Sequence, residues 1–198
     1  YRILANHQSM FGMSTFIQVQ GSVVQYGPLG LTINVDSIAL DRSGSKLFYG
    51  ALTGDSLYSI PTSHLLHYLR TANESREDQL LMDAHLPQRV SLVLPNKPIT
   101  DGITTDGAGN VYLTALEHSS IAIAMPQKAQ SEDGVPVFAG EQKLLKLRKL
   151  VQSSELLRWP DGLCFGPDGL YITNSALHLK FLGEDFSMHA PFHILRIS

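Results

Sequence analysis

The sequence predicts an all-β fold built from repeated antiparallel meanders, and three observations support this prediction. Three segments of the 198-residue chain align with one another. Each aligned segment joins two short apolar strands by a turn that contains glycine, and the first two segments continue into a third strand. Repeats are sought first because a missed repeat changes the whole fold assignment. The aligned segments are Val35 to Pro61, Thr100 to Pro126 and Pro160 to Phe181.

Each unit opens with an aspartate: Asp36, Asp101 or Asp161. A short strand (SIAL, GITT or GLCF) then meets a turn of the D-R-S-G, D-G-A-G or G-P-D-G kind, whose residues tolerate tight turns and positive φ. A second strand follows (KLFYGAL, VYLTAL or LYITNS), so that each unit reads as an antiparallel meander. The turn glycines, eight residues after the opening aspartates, are Gly44, Gly109 and Gly169.

The intervals between units exceed the roughly 40–50 residues of simple propeller repeats. In the first interval, Ser63 to Leu86 is charged, lacks internal Pro and Gly and has leucines at helical spacing, which predicts a surface helix followed by a loop. The leucines of Gln142 to Leu156 mix strand alternation with helical spacing. We favour an outer strand and a loop there.

Repeated four-stranded meanders predict a β-propeller, in which each sheet packs against a neighbour on both faces. Three units cannot close a ring and would leave two sheet faces exposed, so we expect about half of a larger propeller or a chain that pairs with another copy. We assign blade units near residues 34–95, 100–157 and 158–198, and we interpret residues 1–33 as the end of a preceding blade. The first residues lack the charged start and apolar run of a signal peptide.

Composition excludes several classes of partner. The hydrophobic fraction of 43% is ordinary for a protein with a buried core, and the net charge is -3. This charge gives no basic face for nucleic acid, and no apolar run is long enough for a membrane span. A single cysteine, Cys164, cannot form an internal disulfide, and its apolar neighbours predict a buried core thiol.

Several phrases together resemble the major royal jelly protein/yellow family. They are VDSIALDRSGSKLFYGAL followed by LYSIPT, TDGITTDGAGNVYLTALEHSSI, LRWPDGLCFGPDGLYITN and APFHILRI. The resemblance implies a six-bladed β-propeller of which this chain is the C-terminal half. It also implies an extracellular or periplasmic protein with a ligand site at one mouth of the central channel. Insect members carry disulfide cysteines, so the single cysteine here favours a microbial relative.

A wider similarity links the chain to the regucalcin/gluconolactonase propellers. In those proteins the Asp of a PDG-type motif binds a divalent metal at the top of the channel, together with a Glu and an Asn from other blades. By motif, Asp161 is the best match for such a metal ligand and Asp101 is the second. The resemblance therefore implies Ca²⁺ or another divalent cation as a possible cofactor, with no cofactor certain.

The opening aspartates are the first candidates for ligand binding. The first strand of each blade faces the channel, so Asp36, Asp101 and Asp161 are expected to converge from successive blades. Clustered carboxylates suit a hard cation or a ligand amine. The alternative is that each aspartate accepts backbone N–H bonds in a local turn, as we expect for Asp168.

Three further residues are candidates because the repeat does not impose them. Glu117 and His118 follow the second strand of the middle unit, where they are predicted to line the mouth or to form an exposed loop. Asn174 replaces Ala51 and Ala115 in a small, buried stretch, and a buried amide must find partners. By resemblance, the Asn at this point of the last blade contributes to an amine-binding pocket in some insect members.

Four functions remain open at this stage. The leading one is small-molecule binding without catalysis. The others are a metal-dependent lactonase-like hydrolase, an isomerase of quinone or dopachrome type, and a structural or storage role. The sequence has no G-x-S-x-G, P-loop or C-x-x-C motif that would select another enzyme class.

Overall fold

The computed structural model describes residues 3–25, 28–71, 75–127 and 144–198. Within them, antiparallel sheets dominate and the helices are short. The strands are β1 Ile17–Val19, β2 Ser22–Val24, β3 Val35–Leu40, β4 Lys46–Ala51, β5 Ser56–Pro61, β6 Ser91–Pro95, β7 Ile103–Thr105, β8 Val111–Ala115, β9 Ser120–Pro126, β10 Leu145–Gln152, β11 Trp159–Gly166, β12 Gly169–Ser175 and β13 His193–Ile197. The helices are α1 Thr62–Thr71, α2 Arg76–His85 and α3 Leu177–Phe181, with 3-10 turns at Gln8–Met10, Leu86–Arg89, Leu116–His118 and Phe186–His189.

The three repeats form three separate sheets. Their strand orders are β3-β4-β5-β6, β7-β8-β9-β10 and β11-β12-β13. Every ladder is antiparallel and joins strands that follow one another in the chain. The predicted all-β class and the meander topology are therefore confirmed, and the architecture is consistent with a fragment of a β-propeller.

The turns between the first two strands form as the sequence predicts. Gly44 and Gly109 have φ of 70° and 83°, a region that glycine enters without steric cost. In the middle sheet, the Asp106 carboxylate accepts the backbone N–H groups of Ala108 and Asn110 at 2.8 and 3.0 Å. Such a side chain replaces the missing backbone acceptors and fixes the hairpin register.

Apolar side chains fill the spaces between neighbouring sheets. One cluster joins the first sheet to the second, and another joins the second to the third. The buried members of the first cluster are Phe48, Leu57, Val93, Leu94, Ile103, Val111, Leu113 and Ala124. The buried members of the second are Ile121, Leu157, Leu170 and Ile172.

The segment from Ser63 to Leu86 forms two helices where we expected one helix and a loop. The α1 helix packs Tyr68 into the core of the first sheet, and the Tyr68 hydroxyl donates to Asp83 of α2 at 2.8 Å. Residues 72–74, between the helices, lie outside the described residues. The second ambiguous segment behaves as predicted, because β10 pairs with β9 as an outer strand.

The N-terminal segment places a hairpin across the ends of the three sheets. β1 and β2 form their own two-stranded sheet, closed by a tight turn at Gln20 and Gly21 with φ of 52° and 84°. The assignment of residues 1–33 to a preceding blade stays a prediction. The hairpin belongs to a cluster with the buried residues Ile17, Val19, Val24, Leu31, Leu52, Leu116 and Trp159.

The prediction for Cys164 is wrong, because its side chain is exposed. Side chains of a strand alternate between the two faces of a sheet. On β11, Leu163 packs into the cluster against the middle sheet, and Phe165 meets Tyr112 edge to face at 5.0 Å. Cys164 lies between them and points to the opposite face.

Adjacent sheets are in direct contact where their first strands begin. The Ser37 hydroxyl, on β3, donates to the Asp101 carbonyl of the middle unit at 2.5 Å. At Gly102, an added Cβ would overlap the backbone carbonyl of Asp161 from the third unit. Glycine at this position therefore lets the backbones of the second and third units touch.

We expect Gly102→Ala to lower the free energy of unfolding by about 1–3 kcal/mol, because a methyl group forced against backbone requires the strands to shift. Urea denaturation measures this change. Gly107→Ala is the matched control, since its Cβ would meet only the movable Arg42 side chain, 3.1 Å away. Equal losses in the two variants would contradict the close-approach explanation.

Candidate functional site

Local strand irregularities position two of the three opening aspartates. Asp36 lies where the β3–β4 register shifts between Val35 and Ser37, and Asp161 lies in a similar shift on β11. Asp101 comes two residues before β7. An irregularity of this kind leaves a residue unpaired and redirects its side chain. We call the end of the sheets where these first strands begin the mouth.

The aspartates of the mouth do not cap turns. Among the hydrogen bonds of the described residues, none joins the carboxylate of Asp36 or Asp161 to a backbone N–H. That role belongs to the aspartates that start the turns, Asp41 and Asp106. The Asp41 carboxylate accepts the Lys46 backbone N–H at 2.8 Å, and its hydrogen bonds lower its pKa.

The carboxylates of successive units are close enough to interact. Burial raises the pKa of Asp101 to about 7, and the negative charges of Asp161 and Asp36 raise it further against the opposing effect of the Trp159 N–H. The pKa of Asp161 is also raised, first by burial and then by the charge of Asp36. The predicted convergence of these three side chains is thus visible in their electrostatics, whereas their roles in binding stay predictions.

Trp159 organises this cluster, and our sequence reasoning missed it. Its indole N–H donates to Asp101 Oδ2 at 2.6 Å, and its side chain is 1% exposed. Its backbone N–H donates to Asn174 Oδ1 at 3.2 Å. The ring lies nearly parallel to that of His178, with centroids 6.0 Å apart. The available signal was its position two residues before Asp161, in the phrase RWPDG.

Two threonines hold the backbone at the mouth, and they were also missed. Thr114 Oγ1 accepts the backbone N–H groups of Asp101 and Gly102 at 2.9 and 3.1 Å. In the third unit, Thr173 Oγ1 accepts the N–H of Gly162 at 2.8 Å. Both threonines occupy the same place in their repeats, just before the aligned positions Ala115 and Asn174, so the alignment contained the signal.

Asn174 is 3% exposed and uses its side-chain oxygen to hold Trp159. This bond satisfies the requirement that a buried amide find a partner. Its amide nitrogen makes no hydrogen bond within the described part of the chain. Asn174 is thus a support for the cluster, and its role as a ligand contact stays a prediction.

Glu117 and His118 lie at the mouth end of the middle sheet, in the 3-10 turn after β8. Both are exposed, and Glu117 Oε1 accepts the Gln18 backbone N–H at 2.9 Å, which ties β1 to this sheet. The two side chains border a polar cavity of about 670 Å³ that includes none of the three aspartates. The cavity is lined by Gln18, Gln20, Gly21, Glu117, His118, Ser119, Gln152 and Ser154.

The carboxylates of the mouth are of the ligand type that a divalent cation prefers, but they are not arranged as a metal site. Carboxylate oxygens are the ligands that Ca²⁺ prefers. Within the described residues, however, no group of three or more His, Cys, Asp or Glu side chains is arranged to hold a metal ion. Asp101 Oδ2 is already engaged by the Trp159 indole. A cation here would therefore require Asp36, Asp101 or Asp161 to reorient.

Comparisons with known proteins give no family assignment. No family model and no curated protein matches the chain. The similar solved structures include a luciferin-regenerating enzyme, with 14% identity, a TM-score of 0.45 and coverage of 88% of this chain and 47% of that one. A calcium-binding protein, regucalcin, from Agrobacterium tumefaciens shows 12% identity, a TM-score of 0.41 and coverage of 84% and 46%. A nidogen/laminin complex shows 16% identity, a TM-score of 0.34 and coverage of 77% and 59%.

The chain thus spans about half the length of the first two of these structures. None of the helices that the structure describes is long and apolar enough to cross a membrane.

We expect Asp101→Asn to change the pH dependence of stability. The folded-state pKa of Asp101, about 7, lies above the usual aspartate value of 3.8, so its contribution to stability is fully present below about pH 4 and is lost as pH rises through 7. Relative to the original protein, the variant should gain on the order of 1–2 kcal/mol between about pH 5 and pH 8. Thermal melts at both pH values test this.

Asp106→Asn is the contrasting control. Hydrogen bonds from Asn110, Ala108 and Tyr112 hold the pKa of Asp106 below its usual value despite partial burial. Its contribution is present at neutral pH and is lost on acidification, so this variant should lose stability at about pH 7 and lose less at about pH 3. If Asp101→Asn showed no gain relative to the original protein between about pH 5 and pH 8, the crowding of carboxylates at the mouth would be disproved.

Proposed function

We propose that this protein binds a small molecule at the mouth, through the carboxylates of Asp36, Asp101 and Asp161. The observation that supports this is the partly buried Asp101 carboxylate, which accepts the Trp159 indole N–H at 2.6 Å and whose pKa is raised by burial and by two neighbouring negative charges. Bringing the partly buried carboxylates of Asp101 and Asp161 close to the exposed carboxylate of Asp36 destabilises the fold, and none of the three stabilises a turn. Perturbed groups of this kind are concentrated at functional sites.

The chemistry of the mouth favours a ligand that carries a positive charge or several hydrogen-bond donors. A ligand amine beside Asp161 and Asp36 would relieve their repulsion and satisfy their oxygens. Asn174 would add a polar contact beside the Trp159 ring. We propose Glu117 and His118 as outer contacts, since they border a separate cavity at the same end of the sheets.

The wider biological setting is also a proposal. The repeated phrases support a protein of the major royal jelly/yellow kind, extracellular or periplasmic, with six blades when complete. The outer face of the first sheet, which α1 covers only in part, and the open face of the third sheet favour closure by further blades or by another copy of the chain. Exposed apolar side chains on these sheets, such as Ile38 at 62% and Ile194 at 74%, support this.

The second candidate is a metal-dependent, lactonase-like hydrolase. The specific observation in its favour is that Asp161 and Asp101 both have raised pKa values, a penalty that a divalent cation would remove. In this case Asp161 and Asp101 would be the cation ligands. A bound cation would act as a Lewis acid toward a carbonyl group.

A thermal-shift measurement with phenethylamine and with Ca²⁺ distinguishes the two candidates. A ligand at about 100 times its Kd stabilises a protein by about 2.7 kcal/mol, which corresponds to roughly 5–11 °C in Tm for a chain of this size. Amine binding predicts a shift with phenethylamine that Asp161→Asn and Asn174→Ala both reduce. The metal candidate predicts a shift with Ca²⁺ that Asp161→Asn abolishes and Asn174→Ala retains.

Asp168→Asn is the matched control for the loss of one carboxylate. Asp168 lies in an exposed turn, where Tyr171 and Arg196 bind its carboxylate, and is remote from the ligand in either proposal. Its variant should keep the full shift with either probe. The absence of a shift with both probes would refute the proposed binding function.

A further inference from the structure

A second cavity lies between the two helices of the first unit, and none of the three aspartates of the mouth lines it. Its volume is about 270 Å³. The lining residues are His64 and His67 from α1, His85 at the end of α2, and Leu86 and Arg89 from the 3-10 turn that follows. Three of the eight histidines of the chain therefore border one space.

The polar lining of this cavity consists of nitrogen donors. Arg89 contributes a permanent positive charge, and each imidazole offers an N–H donor that becomes two when it is protonated. Among the residues that the structure describes, no carboxylate lines this cavity. The nearest acid along α2 with a described side chain, Asp83, accepts the Tyr68 hydroxyl at 2.8 Å.

The arrangement does not suit a metal ion. Imidazoles at this spacing on α1 could suggest Zn²⁺, but in the described part of the chain no three His, Cys, Asp or Glu side chains converge on a common point. The Arg89 guanidinium would also repel a cation. A polyatomic anion, by contrast, can accept bonds from donors that stand apart around a cavity.

We propose that the cavity between α1 and α2 binds a small polyvalent oxyanion, held by Arg89 and by the imidazoles of His64, His67 and His85. A water molecule occupies about 30 Å³ of liquid, so the cavity has the volume of about nine water molecules. Pyrophosphate, with two phosphoryl groups, fits this space, and so does a compact polycarboxylate such as citrate. His64 lies in the first turn of α1, where the helix dipole further favours negative charge.

This site should respond to pH, because its imidazoles gain charge and a second donor on protonation. The titratable and charged groups of the described residues that line the cavity are His64 and His67 from α1, His85 from α2 and Arg89 from the 3-10 turn. His67 Nδ1 lies 3.5 Å from the Thr71 hydroxyl, which leaves its Nε2 for the ligand. Affinity for an oxyanion should therefore increase as pH falls.

Titration with pyrophosphate, and separately with citrate, tests the proposal. Calorimetry gives the affinity, and NMR of the imidazole C–H groups reports which histidines respond. We expect saturable binding that is several-fold tighter at about pH 6 than at about pH 8. The resonances of His64, His67 and His85 should move, whereas that of His118 should not. Tighter binding of pyrophosphate identifies a phosphate site, and tighter binding of citrate identifies a carboxylate site.

Two variants with a matched control make the test specific. Arg89→Gln should weaken binding about tenfold or more, because it removes a charged donor. His67→Gln should reduce the difference between the two pH values. Arg148→Gln removes an exposed arginine of β10, outside the cavity, and should leave the affinity unchanged. All three side chains are exposed, so equal Tm values without ligand verify folding.

Three results would overturn the inference. One is the absence of saturable binding of either anion at about pH 6, and another is an equal loss of affinity in Arg89→Gln and Arg148→Gln. The third is tight binding of Zn²⁺ that shifts the same histidines while neither anion does. Since no aspartate of the mouth is involved, these outcomes are independent of the proposed binding function.

Discussion

The contact between the starts of neighbouring inner strands is the constraint on which the rest of this structure depends. The Ser37 hydroxyl bonds the Asp101 carbonyl, and Gly102 lies against the Asp161 carbonyl. These two contacts set how closely the sheets approach at the mouth. Farther along the strands, apolar clusters fill the space between the same sheets. The close approach at one end and the packed core beyond it are therefore parts of one interface.

This constraint also creates the unusual electrostatics of the mouth. When backbones touch at residues adjacent to aspartates, the carboxylates are brought together as well. The Trp159 indole N–H offsets part of the cost by donating to Asp101, and Asn174 in turn fixes the Trp159 backbone. A folding motif alone would need neither the buried carboxylate nor its dedicated donor. The cluster is for this reason the site that we propose for binding, whereas the glycine beside it serves packing.

Much of the fold could be predicted from the sequence because it repeats. Turn glycines and strand patterns aligned across the units, and the sheets follow them. Burial was harder to predict, as Cys164 shows: its apolar neighbours belong to the opposite face of the same strand, so an apolar run alone does not establish burial. The hydrogen-bond donors to the carboxylates of the mouth could not be predicted from single residues either. Trp159 reaches Asp101 across two sheets, 58 positions away in the chain.

The two aspartates of one repeat unit show which physical property separates a site residue from a turn residue. Asp106 faces the backbone N–H groups of its own turn, and its pKa is lowered. Asp101, five positions earlier, faces another sheet's indole and two carboxylates, and its pKa is raised. The sequence contexts of Asp101 and Asp106 are nearly the same, since both residues precede glycine.

What differs between the two aspartates is whether the local backbone offers free N–H groups. A turn supplies them, whereas at the mouth the Asp101 and Gly102 N–H groups are already bound by Thr114. An aspartate left without backbone donors must find its partner in a neighbouring side chain or in a ligand.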